Sequence, residues 1–365
     1  MGAGDDLSVL SSLNNVIVVA VQYRLGALGF FNVPGSTIKG NYGLMDQLES
    51  LKWVQKNIAA FGGDPLKVTI LGQSAGGISV AMLLLMPQSK NLFRGAIAQS
   101  GAANSVPTCY KIRSKKPAKY FLGLLDCSID GPILDCIRSR SHEDVVAAQT
   151  KLMATQNQDM FVTVSPVVDG TYLVDLPRNL LQQQKFYKVP TIFGITSDEG
   201  SMLTEMFLKD IPLSMYTEDF FRSFVYSARD LDFGDNKLVK EAIVYEYTNH
   251  GVFKSPKVVR RQLTTMWGDK FAIAPVALNL EAYAAAGVPG YFYIFNHRSK
   301  YSVYPPWVGV NHADDLPYTL GAPIKKISSI PLTAGFTDVE KGLSRFVMKL
   351  WTNFAKYGYA IAVNI

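Results

Sequence analysis

The sequence predicts an α/β fold with a mostly parallel, doubly wound sheet and helical insertions, and three observations carry that prediction. Short runs of β-branched and small apolar residues recur along the chain. Helical stretches with an apolar face separate them, and glycine-rich breaks sit at the junctions. Continuous apolar runs suit strands covered on both faces, whereas half-exposed antiparallel strands alternate.

Val16-Ile17-Val18-Val19-Ala20-Val21 is the first such run and is expected to be a strand buried on both faces. Gly40-Asn41-Tyr42-Gly43 breaks the chain before a helix whose Leu44, Leu48, Leu51 and Ile58 share one side. Gly62-Gly63-Asp64-Pro65 ends that helix, and Val68 to Leu71 begins the next strand. Ile78 to Met86 is apolar nearly all round, which a helix tolerates only when buried. Gly95 to Ser100 follows as a third strand. Residues 105–160 are more polar and are expected to form helices and loops above the sheet. Val189 to Ile195 reads as a strand, 201–285 as mainly helical, Tyr291 to Phe295 as the last clear strand, and Leu343 to Tyr357 as an amphipathic helix. With neither repeat nor linker, residues 1–365 are expected to form one domain with inserted helices.

Composition narrows the function classes. The chain is 48% hydrophobic and 18% charged, a balance that excludes a mainly disordered protein. Its formal net charge is +6, and part of that excess lies in Lys111-Ile112-Arg113-Ser114-Lys115-Lys116. No nucleic-acid motif accompanies the cluster, so it reads as a solvated loop and no nucleic-acid partner is expected. No run reaches the ~18–20 apolar residues of a membrane span. Met1 to Asp6 lacks the basic and apolar regions of a signal peptide. The three cysteines, Cys109, Cys127 and Cys136, lack zinc spacing, and no metal or cofactor is expected. Cys127 and Cys136 flank a short polar loop, bridged in an oxidising compartment and free in a reducing one.

Gly72-Gln73-Ser74-Ala75-Gly76 is the segment richest in chemical meaning. A lone Gly-x-Ser-x-Gly is weak, but this one lies between a predicted strand and a predicted buried helix. Such a turn lifts the serine hydroxyl above the sheet, and the glycines two residues either side admit close backbone approach. The helix start adds free N–H groups, that of Ala75 first, where an oxyanion would develop. A serine hydroxyl needs a base at neutral pH, and the base needs an acid to orient it. Among His142, His250, His297 and His312, the best placed is His312, in the loop Gly309 to Leu316 after the last strand; His297, at the strand's own end, is its rival. Asp198 and Glu199 follow the strand ending at Ile195, and either completes the chain order serine, acid, histidine.

The stretches QYRLGALGFF, GNYGLMDQLESLKWVQKNIAAFGGDP, GQSAGG, AQSGA, SPVVDG, FGITSDEG, NHADDLPYTLGAP and KLWTNFAKYG resemble, in order, the type-B carboxylesterase family. That family includes cholinesterases and bile-salt-activated lipase. The resemblance covers residues 16 to 358 and implies an α/β-hydrolase fold and a serine esterase acting on small ester substrates. It places the family's catalytic serine, glutamate and histidine on Ser74, Glu199 and His312. It implies a Cys127–Cys136 disulfide, with Cys109 unpaired, and hence a secreted or endoplasmic-reticulum protein. Arg24 and Asp46 match a pair expected to be buried as a structural salt bridge. Ser100 matches a position beside the triad, where its hydroxyl would support Glu199 or His312. Met160 and Val162 match acyl-pocket positions and are aliphatic, which favours a general carboxylesterase admitting larger acyl groups. Gln73 stands where the family usually has the glutamate that helps to hold a cationic substrate, which weakens a choline-ester assignment.

The family's other oxyanion donors come from a His-Gly-Gly loop upstream of where this chain begins. Met1-Gly2-Ala3-Gly4 resembles the region after that loop's glycines, and Tyr359 to Ile365 diverges from the family, so the chain is expected to be truncated at both ends. Each lost donor costs on the order of 10²–10³ in turnover, so weak or absent hydrolysis is expected from these residues alone. Two further readings remain: a non-catalytic adhesion module like the neuroligins, and a lipase of the same family.

Overall fold

Four short apolar segments meet as parallel neighbours in chain order: β1 (Thr69–Gln73), β2 (Gly95–Gln99), β3 (Thr191–Thr196) and β4 (Gly290–Phe295). This computed structural model describes residues 6–105, 115–154, 164–227, 236–248, 250–251, 255–326 and 335–360. Every residue of β2 and β3 is buried, as expected of strands covered on both faces. The strand period of two divides their side chains between two cores. Ala96, Ala98, Phe193 and Ile195 pack with the helices Tyr42–Asn57, Ala75–Leu85 and Ala274–Ala285. Ile97 and Ile192 face the other way, onto Val347, Trp351 and Phe354 of the helix Asp338–Tyr357. Helices thus cover both faces of a parallel sheet, the α/β architecture expected.

The helix Ala75–Leu85 begins directly at the glycine-rich turn and is buried along nearly its whole length, as its all-round apolarity requires. In the helix Tyr42–Asn57 and the short turn Ile58–Phe61 that continues it, Leu44, Leu48, Leu51 and Ile58 are all buried. The last helix starts at Asp338, five residues before the expected Leu343. Its start is a capping box: Thr337 Oγ1 accepts from the Glu340 N–H, and Glu340 Oε2 accepts from the Thr337 N–H at 2.8 Å. The pair Thr337-x-x-Glu340 is legible in the sequence, and apolar periodicity alone passes over it.

Val16 to Val21 departs from expectation. The segment has neither strand pairing nor helix, and Ile17 and Val19 are 48% and 44% exposed. A β-branched run says that a segment suits a sheet, not that a strand lies beside it. No neighbouring strand accompanies it among the described residues.

Arg24, which follows this segment, grips Asp46 with two side-chain hydrogen bonds of 2.8 Å, and its own N–H donates to Oδ2 at 3.0 Å. The pair is not buried as expected, since the Arg24 side chain is 52% exposed. The guanidinium holds the Asp46 carboxyl below its ordinary range. The pair therefore contributes fully at neutral pH, and its contribution is lost as pH falls below that range. Solvent screening limits it: Arg24→Ala is expected to cost about 1 kcal/mol, read as a small fall in Tm with the fold intact.

A second core lies under residues 116–154. Ala27 and Phe31 pack with Phe121, Leu122 and Leu125, and with Val145, Ala148 and Leu152 of the helix His142–Ala154. The Cys127–Cys136 bridge closes a short loop at its margin, with Cα atoms 5.9 Å apart. Closing a loop of this length stabilises by about 2–3 kcal/mol, chiefly by restricting the unfolded chain. The double variant Cys127→Ser, Cys136→Ser is expected to lose that much in denaturant unfolding, whereas an unchanged midpoint would make the bridge dispensable.

Candidate active site

Ser74 sits between β1 and the helix Ala75–Leu85 with φ +57° and ψ −122°. This is strained backbone for a residue with a side chain, and such outliers cluster at functional sites. The turn is tight because its glycines make room. A Cβ on Gly72 would come within 2.2 Å of the Gly76 carbonyl oxygen, and one on Gly77 within 2.7 Å of the Gln99 carbonyl oxygen. Gly76, the second glycine of the five-residue motif, faces open space. The closeness expected of it belongs to Gly77, because the helix meets the end of β2 one residue later. Ala75 is exposed in the first helical turn, where N–H groups lack intrahelical acceptors.

The end of β3 supplies the two carboxylates, which face different partners. Glu199 is 1% exposed; its Oε2 lies 2.6 Å from His312 Nδ1, and its Oε1 accepts from the Thr196 N–H at 2.7 Å. Asp198 instead pairs with Arg261, and its Oδ2 accepts from the Val310 N–H at 2.9 Å. It therefore ties the end of β3 to the loop that carries His312. The rival base His297 lies 3.4 Å from Glu340 Oε1, on the other face of the sheet.

His312 is buried and held on three sides. Besides Glu199, the Phe271 ring meets it edge to face with centroids 5.3 Å apart, and Gln73 Nε2 lies 3.2 Å from its Nε2. An amide NH₂ can only donate, so Gln73 selects an unprotonated Nε2 and places the ring proton on Nδ1, toward Glu199. No hydrogen bond joins Ser74 Oγ to the ring among the described residues.

Below the imidazole lies a buried polar network. Asp315 Oδ2 accepts from Gln99 Nε2 at 2.8 Å and from the Tyr293 hydroxyl at 2.5 Å, joining the His312 loop to β2 and β4. Burial pushes the Asp315 carboxyl up, and it pushes Asp314 up to about 6. Ser100 is fully buried at the end of β2, but its hydroxyl reaches neither Glu199 nor His312 and has no hydrogen-bond partner among the described residues. Met160, Val162 and Cys109 lie outside the described residues, as do Met1 to Gly4 and most of the Lys111 cluster.

Sequence reasoning missed Phe271 and Asp315. Phe271 stands in a π-helical turn, Asp269–Ile273, between the helices Pro256–Gly268 and Ala274–Ala285. Such turns are frequent at functional sites, but apolar periodicity carries no mark of one. Asp315 had a signal, since an acidic residue so near the candidate base invites a buried partner.

Residues 3–361 match the family model described as the carboxylesterase family. The chain is 34% identical over 362 residues to the pyrethroid hydrolase Ces2e of Rattus norvegicus, covering 98% of this chain and 60% of that protein. It is 35% identical over 367 residues to a cholinesterase of Mus musculus, covering 97% of this chain and 58% of that protein. A third similarity, 34% over 361 residues, is to neuroligin-3 of Mus musculus, covering 97% of this chain and 42% of that protein. The chain thus spans about three fifths of the length of the first two relatives.

Proposed function

This chain belongs to the carboxylesterase family, and from that premise we propose that it carries the catalytic residues of a serine hydrolase that cleaves carboxylic esters. The observation that carries the reading is the buried Glu199–His312 pair at 2.6 Å, whose imidazole meets Gln73, the residue before a serine in strained backbone at a strand-to-helix turn. In this mechanism His312 Nε2 leaves the Gln73 amide and takes the Ser74 proton as Oγ attacks the ester carbonyl. Glu199 stabilises the imidazolium, and the Ala75 N–H donates to the oxyanion. The proton then passes to the departing alcohol. Water, deprotonated by the same imidazole, releases the acid from the acyl-enzyme.

Small-molecule esters, those with larger acyl groups included, are the proposed substrates of a general carboxylesterase, on the strength of the aliphatic Met160 and Val162; Gln73 in place of a carboxylate weighs against choline esters. The disulfide supports an oxidising compartment, secreted or in the endoplasmic-reticulum lumen. No helix among the described residues is long and apolar enough to cross a membrane. The test is labelling of the protein carrying this chain by a fluorophosphonate, with the adduct mapped by mass spectrometry. An adduct on Ser74 is expected. A protein that stays unlabelled while folded would favour a binding module over an enzyme.

A further inference from the structure

Lys257, Arg260 and Arg261 stand three and four residues apart on the helix Pro256–Gly268 and so share one side of it. With Thr264, Pro306 and Trp307 they line a cavity of about 390 Å³, within the usual range for a small-molecule site. None of Ser74, Glu199 and His312 lines it. The Arg260 guanidinium lies 3.8 Å from the centre of the Trp307 ring, and the two side chains also wall a second cavity of about 250 Å³.

The three cations differ in what they face. Arg261 is engaged with Asp198. Arg260 is half-buried, and neither it nor Lys257 has an ion-pair partner among the described residues. Burial accordingly lowers the Arg260 pKa from its ordinary value. Glu205, which also lines the second cavity, attracts the Arg260 guanidinium without forming an ion pair with it. Burying a guanidinium that lacks a direct partner is costly, and an anion entering the larger cavity would relieve that cost. The wall beside it is apolar, made by Pro306, Trp307 and the aliphatic stems of the basic residues.

We propose that this cavity binds an organic anion with a flat apolar body, of the aryl carboxylate class. The planar fork of Arg260 meets a carboxylate with two parallel hydrogen bonds, and Lys257 adds a point charge at the mouth. The aryl body lies along Trp307 and Pro306, where an inorganic anion would leave the wall wet. The site is independent of the chemistry proposed for Ser74, so it stands or falls on binding alone.

Calorimetric titration of 2-naphthoate into the protein carrying this chain tests it. One saturable site is expected, with Arg260→Met and Lys257→Met each weakening it on the order of ten- to a hundredfold. Lys257 is exposed, so its variant tests the site even where Arg260→Met loses stability, and thermal melts of both report on the fold. Neutral 2-naphthol and inorganic phosphate are each expected to bind at least about tenfold more weakly, the first lacking the charge and the second the ring. Three results would overturn the proposal: no saturable binding at millimolar naphthoate, affinity unchanged in folded Lys257→Met, or phosphate binding as tightly as naphthoate. Ester hydrolysis is not read in this experiment, so failure of the esterase assignment leaves the result standing.

Discussion

Replacing Ser74 by alanine is expected to lower ester hydrolysis by the protein carrying this chain on the order of 10⁶-fold, leaving the fold unchanged. The size of the effect follows from what is removed. Without Oγ no acyl-enzyme forms, and the remaining groups can only orient water and polarise the carbonyl. Stability should hold, because Ser74 is only partly buried and its side chain caps no helix. Removing the Oγ also leaves the strained φ of +57° in place, since alanine is as restricted there as serine. Turnover of p-nitrophenyl butyrate and fluorophosphonate labelling should disappear together while the melting curve stays the same. Hydrolysis surviving at a tenth of the parent rate would remove Ser74 from the mechanism.

Glu199→Gln is expected to lower turnover about 10⁴-fold with little change in volume. In the parent, Oε2 accepts the Nδ1 proton of His312, so Nε2 is free to take a proton from serine. The glutamine keeps an oxygen to accept from the Thr196 N–H and presents an NH₂ to Nδ1. That NH₂ can only donate, so the ring proton moves to Nε2 and the base is lost. The expected signature is a fall in kcat with an unchanged melting temperature. Asp198→Asn should behave differently. Its carboxylate meets Arg261 and the Val310 N–H, so its loss should loosen the His312 loop without altering the tautomer. Equal losses in the two variants would contradict separate roles for neighbouring carboxylates.

Much of the fold was legible because burial leaves a periodic trace. Leu44, Leu48 and Leu51 marked a helix face, and the nearly continuous apolar run after Gly77 marked a helix with almost no solvent side. The strands of the described sheet were each visible as short apolar runs, since β2 and β3 are covered above and below. Val16 to Val21 shows the limit of that reasoning. Its β-branched run suits a strand as well as any in the chain, yet it lies unpaired and half exposed, because pairing depends on a neighbour and not on the segment itself. The Arg24–Asp46 pair shows another. The resemblance implied a buried pair, but exposure is a property of the surrounding packing, and solvent screening of the half-exposed Arg24 keeps its contribution to stability small.

By itself the sequence determined the strand-to-helix turn at Ser74, the order of candidate serine, acid and base, and the classes of element that carry them. These depend on neighbours within a few residues, where glycine placement and apolar periodicity act directly. Only the tertiary structure decided what faces what. Asp198 and Glu199 are adjacent in the chain, and the residues alone do not say which turns to His312, 113 positions on from Glu199. The register of β3 against β4 and the Asp198–Asn311 bridge set that choice, by fixing the height at which the two loops meet. The same packing brings Phe271 from a π-helical turn to the imidazole edge and stacks Arg260 on Trp307. Such contacts join segments far apart in sequence, and their geometry is fixed by the sheet and the cores that cover it.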